Sequence, residues 1–360
     1  MAAAVETAER ALPLAERWDA VALVADLLIT KGTAYAGLAR RYEAAGLVEA
    51  GVRLAERHDL VATLVRGRLN QGFLLAQIDP VASLESNLAG LAEARRLGQR
   101  RFAAVFATNA AADAMLIGRW DDSLGLVAEP LDAEASSEDH VLAVSRRGII
   151  RALRGETVDD DLDEVRRLIG TTPDRNTVRF FSEIEAARDF ATGRFGAAAS
   201  RFRELSRTDI GNCRQHLGFA VRASLMQGDV GSAVADLEAA DATGVHGAWV
   251  DAWRTSVVAG LDALDGRREE ALAAYRIALG RFREIGMMLD EAFTGLEMVM
   301  LLDPAEPEVR AAGQRAREIF AELGAATLGA LVEAALAAGS PPASATGTRH
   351  VEARSLPSPT

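Results

Sequence analysis

The feature that most constrains this chain is a set of short turns, each built around Gly or Asp, that recur at nearly even spacing. They fall at Gly46, Asp79, Gly118, Gly155, Gly193, Gly228, Gly266 and Asp303. Successive turns are therefore 33 to 39 residues apart. Repetition on this scale is typical of stacked supersecondary units. The spacing predicts copies of one building block with a period of about 37 residues.

The segments between the turns have the periodicity of amphipathic helices. One of them places its apolar residues three or four positions apart, at Leu272, Tyr275, Leu279 and Phe282. Glycine permits the left-handed conformation that closes a helix. Asp79-Pro80 and Asp303-Pro304 predict an N-cap followed by proline at the first helical position. The building block is therefore predicted to be a helix, a tight turn and a second helix.

Small residues recur at matched distances from the turns. Gly72 and Gly148 stand seven positions before a turn, and Gly51 and Ser123 stand five positions after one. Small side chains at such places let paired helices approach closely. The pattern predicts tight packing between the two helices of each unit.

Composition supports a helical core and disfavours some partners. The chain is 49% hydrophobic but only 5% aromatic, so the core must be built mainly from Ala, Leu and Val. Its net charge of −12 disfavours nucleic-acid binding. It has no run of about 18 apolar residues, so no membrane span is expected. Its start lacks a secretory signal, and these features predict a cytoplasmic protein.

The helix pairs resemble the tetratricopeptide repeat. Gly193-Arg-Phe-Gly-Ala-Ala and Gly266-Arg-Arg-Glu-Glu-Ala are the most similar turns, whereas those at Asp79, Gly155 and Asp303 depart from the family pattern. A narrower resemblance rests on Thr30 to Thr33, on Asp79-Pro80 and the helix that ends at Gly98, and on Ala316 to Gly324. These segments look like the C-terminal helical arrays of bacterial adenylate/guanylate cyclase–AAA ATPase and LuxR-type regulator proteins.

The fold expected from these patterns is all-α. It is a right-handed α-solenoid of about eight antiparallel helix pairs, covering residues 1–338. A first helix over roughly Ala8 to Leu28, beginning near Leu14 because of Pro13, is expected to cap one end. Residues 339–360 are rich in Pro, Ser and Thr and are predicted to form a disordered tail.

The sequence offers little that is suited to catalysis. Lys31 is the only lysine, and it lacks the glycine loop of a phosphate-binding motif. Cys213 and His216 are three apart, but a small buried thiol beside a surface histidine is the favoured interpretation. The acidic run from Asp159 to Glu164 lacks the ligand spacing of a calcium loop and fits a helix start. We expect no enzyme, no cofactor and no metal.

The candidate binding residues are polar or aromatic side chains on the first helices of the pairs, which line the concave face of such arrays. There are two groups of candidates, and for each the alternative is a purely structural role, as packing or solvated residues. One is the equivalent pair Asn70 and Asn109, for which the tetratricopeptide resemblance implies contact with a bound peptide. The other comprises arginines and two tryptophans that share a helix face, namely Arg147, Arg151, Arg179, Arg214, Trp249 and Trp253.

The favoured function is a non-catalytic interaction or regulatory scaffold that presents a concave groove to a protein or peptide. The alternative is a sensor module of a cyclase–ATPase or LuxR-type regulator that binds a small-molecule effector inside the array. A helical enzyme with an unrecognised site is a third. A closed cavity lined by Trp249, Trp253 and arginines would favour the small ligand. An open groove with exposed Asn70, Asn109 and Arg147 would favour the peptide.

Overall fold

The computed structural model describes residues 1–38, 40–76, 78–132, 137–170, 175–208 and 212–338. These residues form eighteen α-helices and no β-strand, which confirms the all-helical prediction. The predicted tail, 339–360, lies outside the described residues. The helices are α1 (Ala2–Arg17), α2 (Val21–Ala36), α3 (Arg41–Arg57), α4 (Val61–Leu75), α5 (Pro80–Arg96), α6 (Arg100–Ile117), α7 (Trp120–Asp132), α8 (Ser137–Arg154), α9 (Asp159–Ile169), α10 (Arg175–Ala191), α11 (Phe195–Thr208), α12 (Cys213–Met226), α13 (Val230–Asp241), α14 (Ala248–Leu264), α15 (Arg268–Glu284), α16 (Met288–Leu301), α17 (Pro307–Glu322) and α18 (Ala326–Ala338).

The helices pack in chain order. Each one contacts the helix that follows it, and most even-numbered helices also contact the next even-numbered helix. The even-numbered helices therefore form a row, with the odd-numbered helices packed against it. Within the described part of the chain, no helix combines the length and apolarity needed to cross a membrane.

Seven of the eight predicted turns lie between helices. They are the turns at Asp79, Gly118, Gly155, Gly193, Gly228, Gly266 and Asp303. The five glycines among them have positive φ, as their role in ending a helix requires. The side chain of Asp79 caps α5 by accepting from the Ala82 amide at 3.0 Å.

The turn predicted at Gly46 is wrong, because α3 continues through this residue. A Cβ at Gly46 would meet no atom within 4 Å, so the glycine lies on an open face of the helix. Glycine costs about 1 kcal/mol relative to alanine in a helix interior, and packing of the opposite face outweighs that cost. Ala44, Val48 and Ala55 of α3 are fully buried there.

Two predicted helix starts also need correction. The first helix is not continuous from Ala8 to Leu28: α1 begins at Ala2, contains Pro13, and is separated from α2 by Asp19, whose φ is 50°. Pro13 is exposed, so water can reach the carbonyl whose hydrogen bond it removes. Asp303 accepts from the Ala305 amide at 2.9 Å within a turn, and α17 starts later, at Pro307.

Small residues permit the close helix contacts that the sequence predicts. A Cβ on Gly51 of α3 would lie 2.6 Å from Cγ1 of Ile29 in α2. A Cβ on Gly72 of α4 would lie 2.7 Å from Oδ1 of Asn87 in α5. Both distances are shorter than carbon atoms allow. A larger residue at Gly51, where the Ala25 carbonyl oxygen is also 2.8 Å away, would force α2 and α3 apart, and one at Gly72 would displace the Asn87 amide.

The second half of the array curls back on itself, which the repeat pattern does not predict. Helix α16 contacts α6, and α18 contacts α8. Arg154 at the end of α8 donates from Nε to the Leu323 carbonyl oxygen at 2.9 Å. A Cβ on Gly155 would lie 1.8 Å from Oγ1 of Thr327. Helices α6 to α18 therefore enclose space, whereas repeats in an open array contact only their neighbours.

Candidate ligand-binding lumen

Two adjoining pockets lie between the even-numbered helices of this curled region. The first is lined by α6, α12, α14 and α16, and the second mainly by α6, α8, α10 and α12. They share four wall residues, Leu116, Gln215, Phe219 and Leu289. We call the combined space the lumen. The empty volumes are about 410 and 650 Å³, with the open space at the mouths of the pockets included.

Three of the sequence-predicted residues meet at one end of the lumen. The guanidinium carbon of Arg214 lies 4.2 Å from the ring centroid of Trp249 and 5.4 Å from that of Trp253. All three side chains line the first pocket and all three are buried, with Arg214 only 4% exposed. Stacking on indole rings is a favourable environment for a guanidinium group, because the ring faces carry negative potential.

The charge on Arg214 is not balanced by a hydrogen-bonded carboxylate. Its Nε and Nη1 atoms are buried and have no hydrogen-bond partner. Burial lowers the pKa of Arg214 to about 10; nearby Asp290 opposes this shift and the positive charge of Arg41 adds to it. Asp290 is committed elsewhere, since it accepts from Nε1 of Trp249 at 2.8 Å and from Nη2 of Arg222 at 3.2 Å.

A second polar group lies in the other pocket and is internally paired. Glu183 of α10 is buried, and its carboxylate lies 3.8 Å from Nη1 of Arg146 and 3.7 Å from Nε2 of His216. Ser145 donates to the same carboxylate at 3.3 Å. The His216 ring also stacks on Phe202. This group has its charges matched, unlike Arg214.

Apolar side chains separate these two polar groups. The four shared wall residues include three apolar ones, Leu116, Phe219 and Leu289. The ring of Phe219 contacts those of Phe190, Phe202 and Phe293, so it is held by an aromatic cluster. The lumen can therefore receive an apolar body, with a cationic group at one end.

A buried network behind the first pocket holds α16 in place. Arg222 of α12 lies 3.5 Å from Oε2 of Glu297, and Tyr275 donates to Oε1 of Glu297 at 2.7 Å. Burial raises the pKa of Glu297 to about 7, against the opposing effects of Arg222 and Tyr275. The same burial, with Glu297 beside it, raises the pKa of Tyr275. The network ties α12, α15 and α16 together.

The structure does not bring the other predicted site residues to the lumen. Asn70 accepts from Oγ1 of Thr33 at 3.0 Å and donates to the Arg66 carbonyl at 2.8 Å, so its amide ties α4 to α2. Asn109 is half-buried on α6. Arg179 is half-buried and lies over the Phe180 ring, with 4.5 Å to its centroid.

Arg147 and Arg151 bind the acidic run that follows them. Both donate to the fully buried carboxylate of Asp161, at 2.7 and 2.6 Å. Arg147 also donates to Glu164, at 2.7 Å. These ion pairs join α8 to α9, and the residues that bear them are not among those lining the lumen. Across the described residues, no cluster of three or more metal-ligating side chains is found.

Sequence reasoning did not single out several residues of the lumen. Leu116, Phe219 and Leu289 look like ordinary core positions in a helical pattern. Arg222 and Asp290 are brought together across 68 residues, which no periodicity links. One signal was available, because Arg214 and Trp249 are separated by about one repeat and therefore fall on adjacent even-numbered helices.

Comparisons with known proteins assign the chain to no family. No protein-family model matches it, and the search of curated proteins found no match either.

Proposed function

We propose that this protein is a non-catalytic regulatory module that holds a small-molecule effector in the lumen. In this proposal the helices form a right-handed, tetratricopeptide-like superhelix of about eight pairs. The observation that supports it best is the burial of Arg214 between Trp249 and Trp253 at the end of an apolar cavity. A cavity with an apolar wall and few converging polar groups is the usual form of a ligand site.

The contacts of the other groove candidates favour a small ligand over a peptide. Asn70, Arg147 and Arg151 use their polar atoms within the protein, in bonds to neighbouring helices. A peptide would have to break those bonds before it could use the same atoms. An effector in the lumen needs none of them, and it would contact six even-numbered helices, α6 to α16, at once.

The wider role that we propose follows from the resemblance noted in the sequence. Helical arrays of cyclase–ATPase and LuxR-type regulators sit beside domains that act on nucleotides or DNA. We propose that this chain likewise reports the presence of its effector to a signalling partner, in the cytoplasm of a bacterium. It is proposed to act without a cofactor and without chemistry of its own.

A neutral fluorescent probe tests lumen binding. N-phenyl-1-naphthylamine brightens in apolar surroundings, and we expect saturable binding of one molecule per chain. Leu116→Trp places an indole at the wall common to both pockets and should abolish the signal. Ile277→Trp is the matched control, because that side chain is 53% exposed on α15 and an indole there leaves the lumen open.

The result that would contradict the proposal is probe binding that Leu116→Trp leaves unchanged, or no saturable binding to the wild-type chain. Circular dichroism and thermal unfolding establish that the variant is folded. Should Leu116→Trp fail to fold, Gln215→Trp fills the same shared wall from a half-buried position on α12.

A second candidate function, docking of a protein partner, is favoured by the N-terminal helices. Trp18, Tyr42 and Phe73 are 76%, 79% and 50% exposed, and Leu14 and Leu23 are exposed as well. All five residues lie on α1 to α4, and we call their exposed faces the N-terminal surface; exposed large apolar side chains can serve as interaction sites. This surface and the lumen are compatible, because one would receive the effector and the other would contact the signalling partner.

Trp18→Asp with Phe73→Asp tests this second candidate. Affinity purification from the source cell should lose any partner that binds the N-terminal surface, while the matched pair Val178→Asp and Ile277→Asp, exposed elsewhere, should retain it. Retention of every partner by the first variant would contradict the candidate. Arg147→Glu is unsuitable for this purpose, since it would break the ion pairs that join α8 to α9.

A further inference from the structure

We infer that the lumen selects an organic monoanion: a carboxylate seated on Arg214, with an apolar body along Leu116, Phe219 and Leu289. This inference rests on the proposed function, which requires only that some small molecule enters the lumen. It adds the charge of the ligand, its chemical class and the residue that recognises it.

The first reason is the state of the Arg214 side chain. It is 4% exposed, it lines the first pocket, and two of its three guanidinium nitrogens have no hydrogen-bond partner. Taking an arginine out of water without an anion is costly, and buried charges in proteins are normally paired. The two indole rings offset part of that cost but supply no hydrogen-bond acceptor. A bound carboxylate would supply it.

The second reason is the balance of charge among the residues that line the lumen. They comprise three arginines, Arg146, Arg214 and Arg222, and two carboxylates, Glu183 and Asp290. Arg146 is paired with Glu183, and Arg222 is paired with Asp290 and with Glu297 behind the first pocket. Of these three arginines, Arg214 has no carboxylate at ion-pair distance, and Arg41 adds positive charge near it. A ligand carboxylate would supply the missing partner.

The third reason is the position of the cation relative to the apolar wall. Arg214 and Gln215 are adjacent on α12, and Gln215 belongs to both pockets. A molecule anchored at Arg214 can therefore extend past Gln215 into the second pocket, between Leu116, Phe219 and Leu289. Fatty acids of medium chain length and arylalkanoic acids have this form, with one carboxylate and an apolar body.

Decanoate and its neutral amide provide a matched pair of probes. The indole rings of Trp249 and Trp253 report binding through tryptophan fluorescence, and titration calorimetry gives the affinity. We expect decanoate to bind at least tenfold more tightly than decanamide, since a charge-assisted hydrogen bond forms only with the carboxylate. In Arg214→Met this preference should fall below threefold, while decanamide binding persists.

Two further variants separate recognition from structure. Arg214→Met should keep or raise the melting temperature of the ligand-free protein, because it removes an unpaired buried charge. Arg207→Met is the control for losing an arginine; that side chain is 69% exposed on α11 and should leave the preference unchanged. Arg214→Lys keeps the charge but loses the planar group that stacks on indole, so it should retain a weakened preference for decanoate.

The outcomes distinguish this inference from the proposed function. Equal affinity for decanoate and decanamide, both blocked by Leu116→Trp, would leave the lumen as a binding site and overturn the assignment of a carboxylate. An unchanged preference in Arg214→Met would overturn the role of that residue. A large fall in melting temperature on Arg214→Met, with no preference in the wild type, would show that Arg214 serves only packing. If neither probe binds in the lumen, both the inference and the proposed function fail.

Discussion

The N-terminal helices, α1 to α5, bury their apolar residues differently from the remaining helices, α6 to α18. The first group contacts mainly its neighbours in the chain, and much of its buried core lies in small clusters. Leu84 of α5 belongs instead to a cluster with Trp249 and Phe282, and the Tyr42 ring lies 5.1 Å from the His246 ring. The second group also joins helices distant in sequence, and one large cluster runs from Met115 to Val332. Among the residues that the structure describes, nine of the thirteen exposed large apolar side chains lie before residue 97, so this region leaves more apolar surface in water.

The difference shows what closure adds to a stack of helices. In α1 to α5 each helix buries one stripe mainly against its neighbours, and outer apolar side chains such as Trp18 and Phe73 stay exposed. In α6 to α18 the array curls, so residues that would face outward or into an open groove meet helices from the far end. That curling forms the lumen, which stays open at its mouths, and buries Arg214, Trp249 and Trp253.

The largest effect that tests this comparison is expected from two phenylalanines. Phe293 of α16 is 2% exposed and contacts the rings of Phe190, Phe219 and Phe320, whereas Phe73 of α4 is 50% exposed. We expect Phe293→Ala to lower the free energy of unfolding by about 3 to 5 kcal/mol, and Phe73→Ala to change it by about 0.5 kcal/mol or less. Urea denaturation measures both, and equal losses would contradict the difference between the two regions.

Glu297 should make the free energy of unfolding depend on pH, an effect of intermediate size among these predictions. Its pKa is raised to about 7 in the folded protein from 4.5, so between these values the folded state keeps a proton that the unfolded state releases. The free energy of unfolding should therefore fall as pH rises through this window, by up to about 1.4 kcal/mol per pH unit from this group. Above pH about 7 its contribution to the slope ends.

Glu297→Gln should remove that slope, because glutamine keeps an acceptor for Tyr275 and does not ionise. Denaturation curves recorded between pH 5 and 8 compare the free energy of unfolding of the variant with that of wild type. Glu308→Gln is the control, since Glu308 pairs with Arg276 on an exposed surface. If Glu297→Gln leaves the pH dependence of the free energy of unfolding unaltered, Glu297 is ionised throughout this range. Burial then does not raise its pKa.

The smallest effect is expected at Trp18. This side chain is 76% exposed beside the turn between α1 and α2, and Trp18→Ser should change the free energy of unfolding by less than about 0.5 kcal/mol. It should nevertheless shorten retention on a hydrophobic-interaction column, because the apolar N-terminal surface shrinks. A loss of stability comparable to that of Phe293→Ala would mean that the N-terminal helices bury Trp18 in solution.

Local physics explains which parts of the fold the sequence could predict. Turn residues act within a few positions, so the glycine turns and the cap at Asp79 were correctly placed. A single glycine is ambiguous, however, because its helical cost is small enough for packing to override, as at Gly46. The cluster of Arg214 with Trp249 is nearly local too, since adjacent even-numbered helices place residues one repeat apart side by side.

Closure of the array could not be predicted in the same way. Arg154 meets Leu323 across 169 positions, and Arg222 meets Glu297 across 75. Such contacts depend on how small rotations between helix pairs accumulate over many units. The residue pattern of a single unit does not reveal this accumulated rotation. The lumen, and with it the roles of Phe219 and Leu289, therefore becomes visible only in the folded chain.

Hydrogen–deuterium exchange with and without N-phenyl-1-naphthylamine tests the central claim most directly, because it reads both regions in one experiment. An occupied lumen should slow exchange in α12, α14 and α16, whose residues line it, and should leave α2 to α4 unchanged. Protection confined to α1 to α5, or no protection of α12 to α16 at saturating probe, would contradict a ligand site enclosed by the curled half of the array.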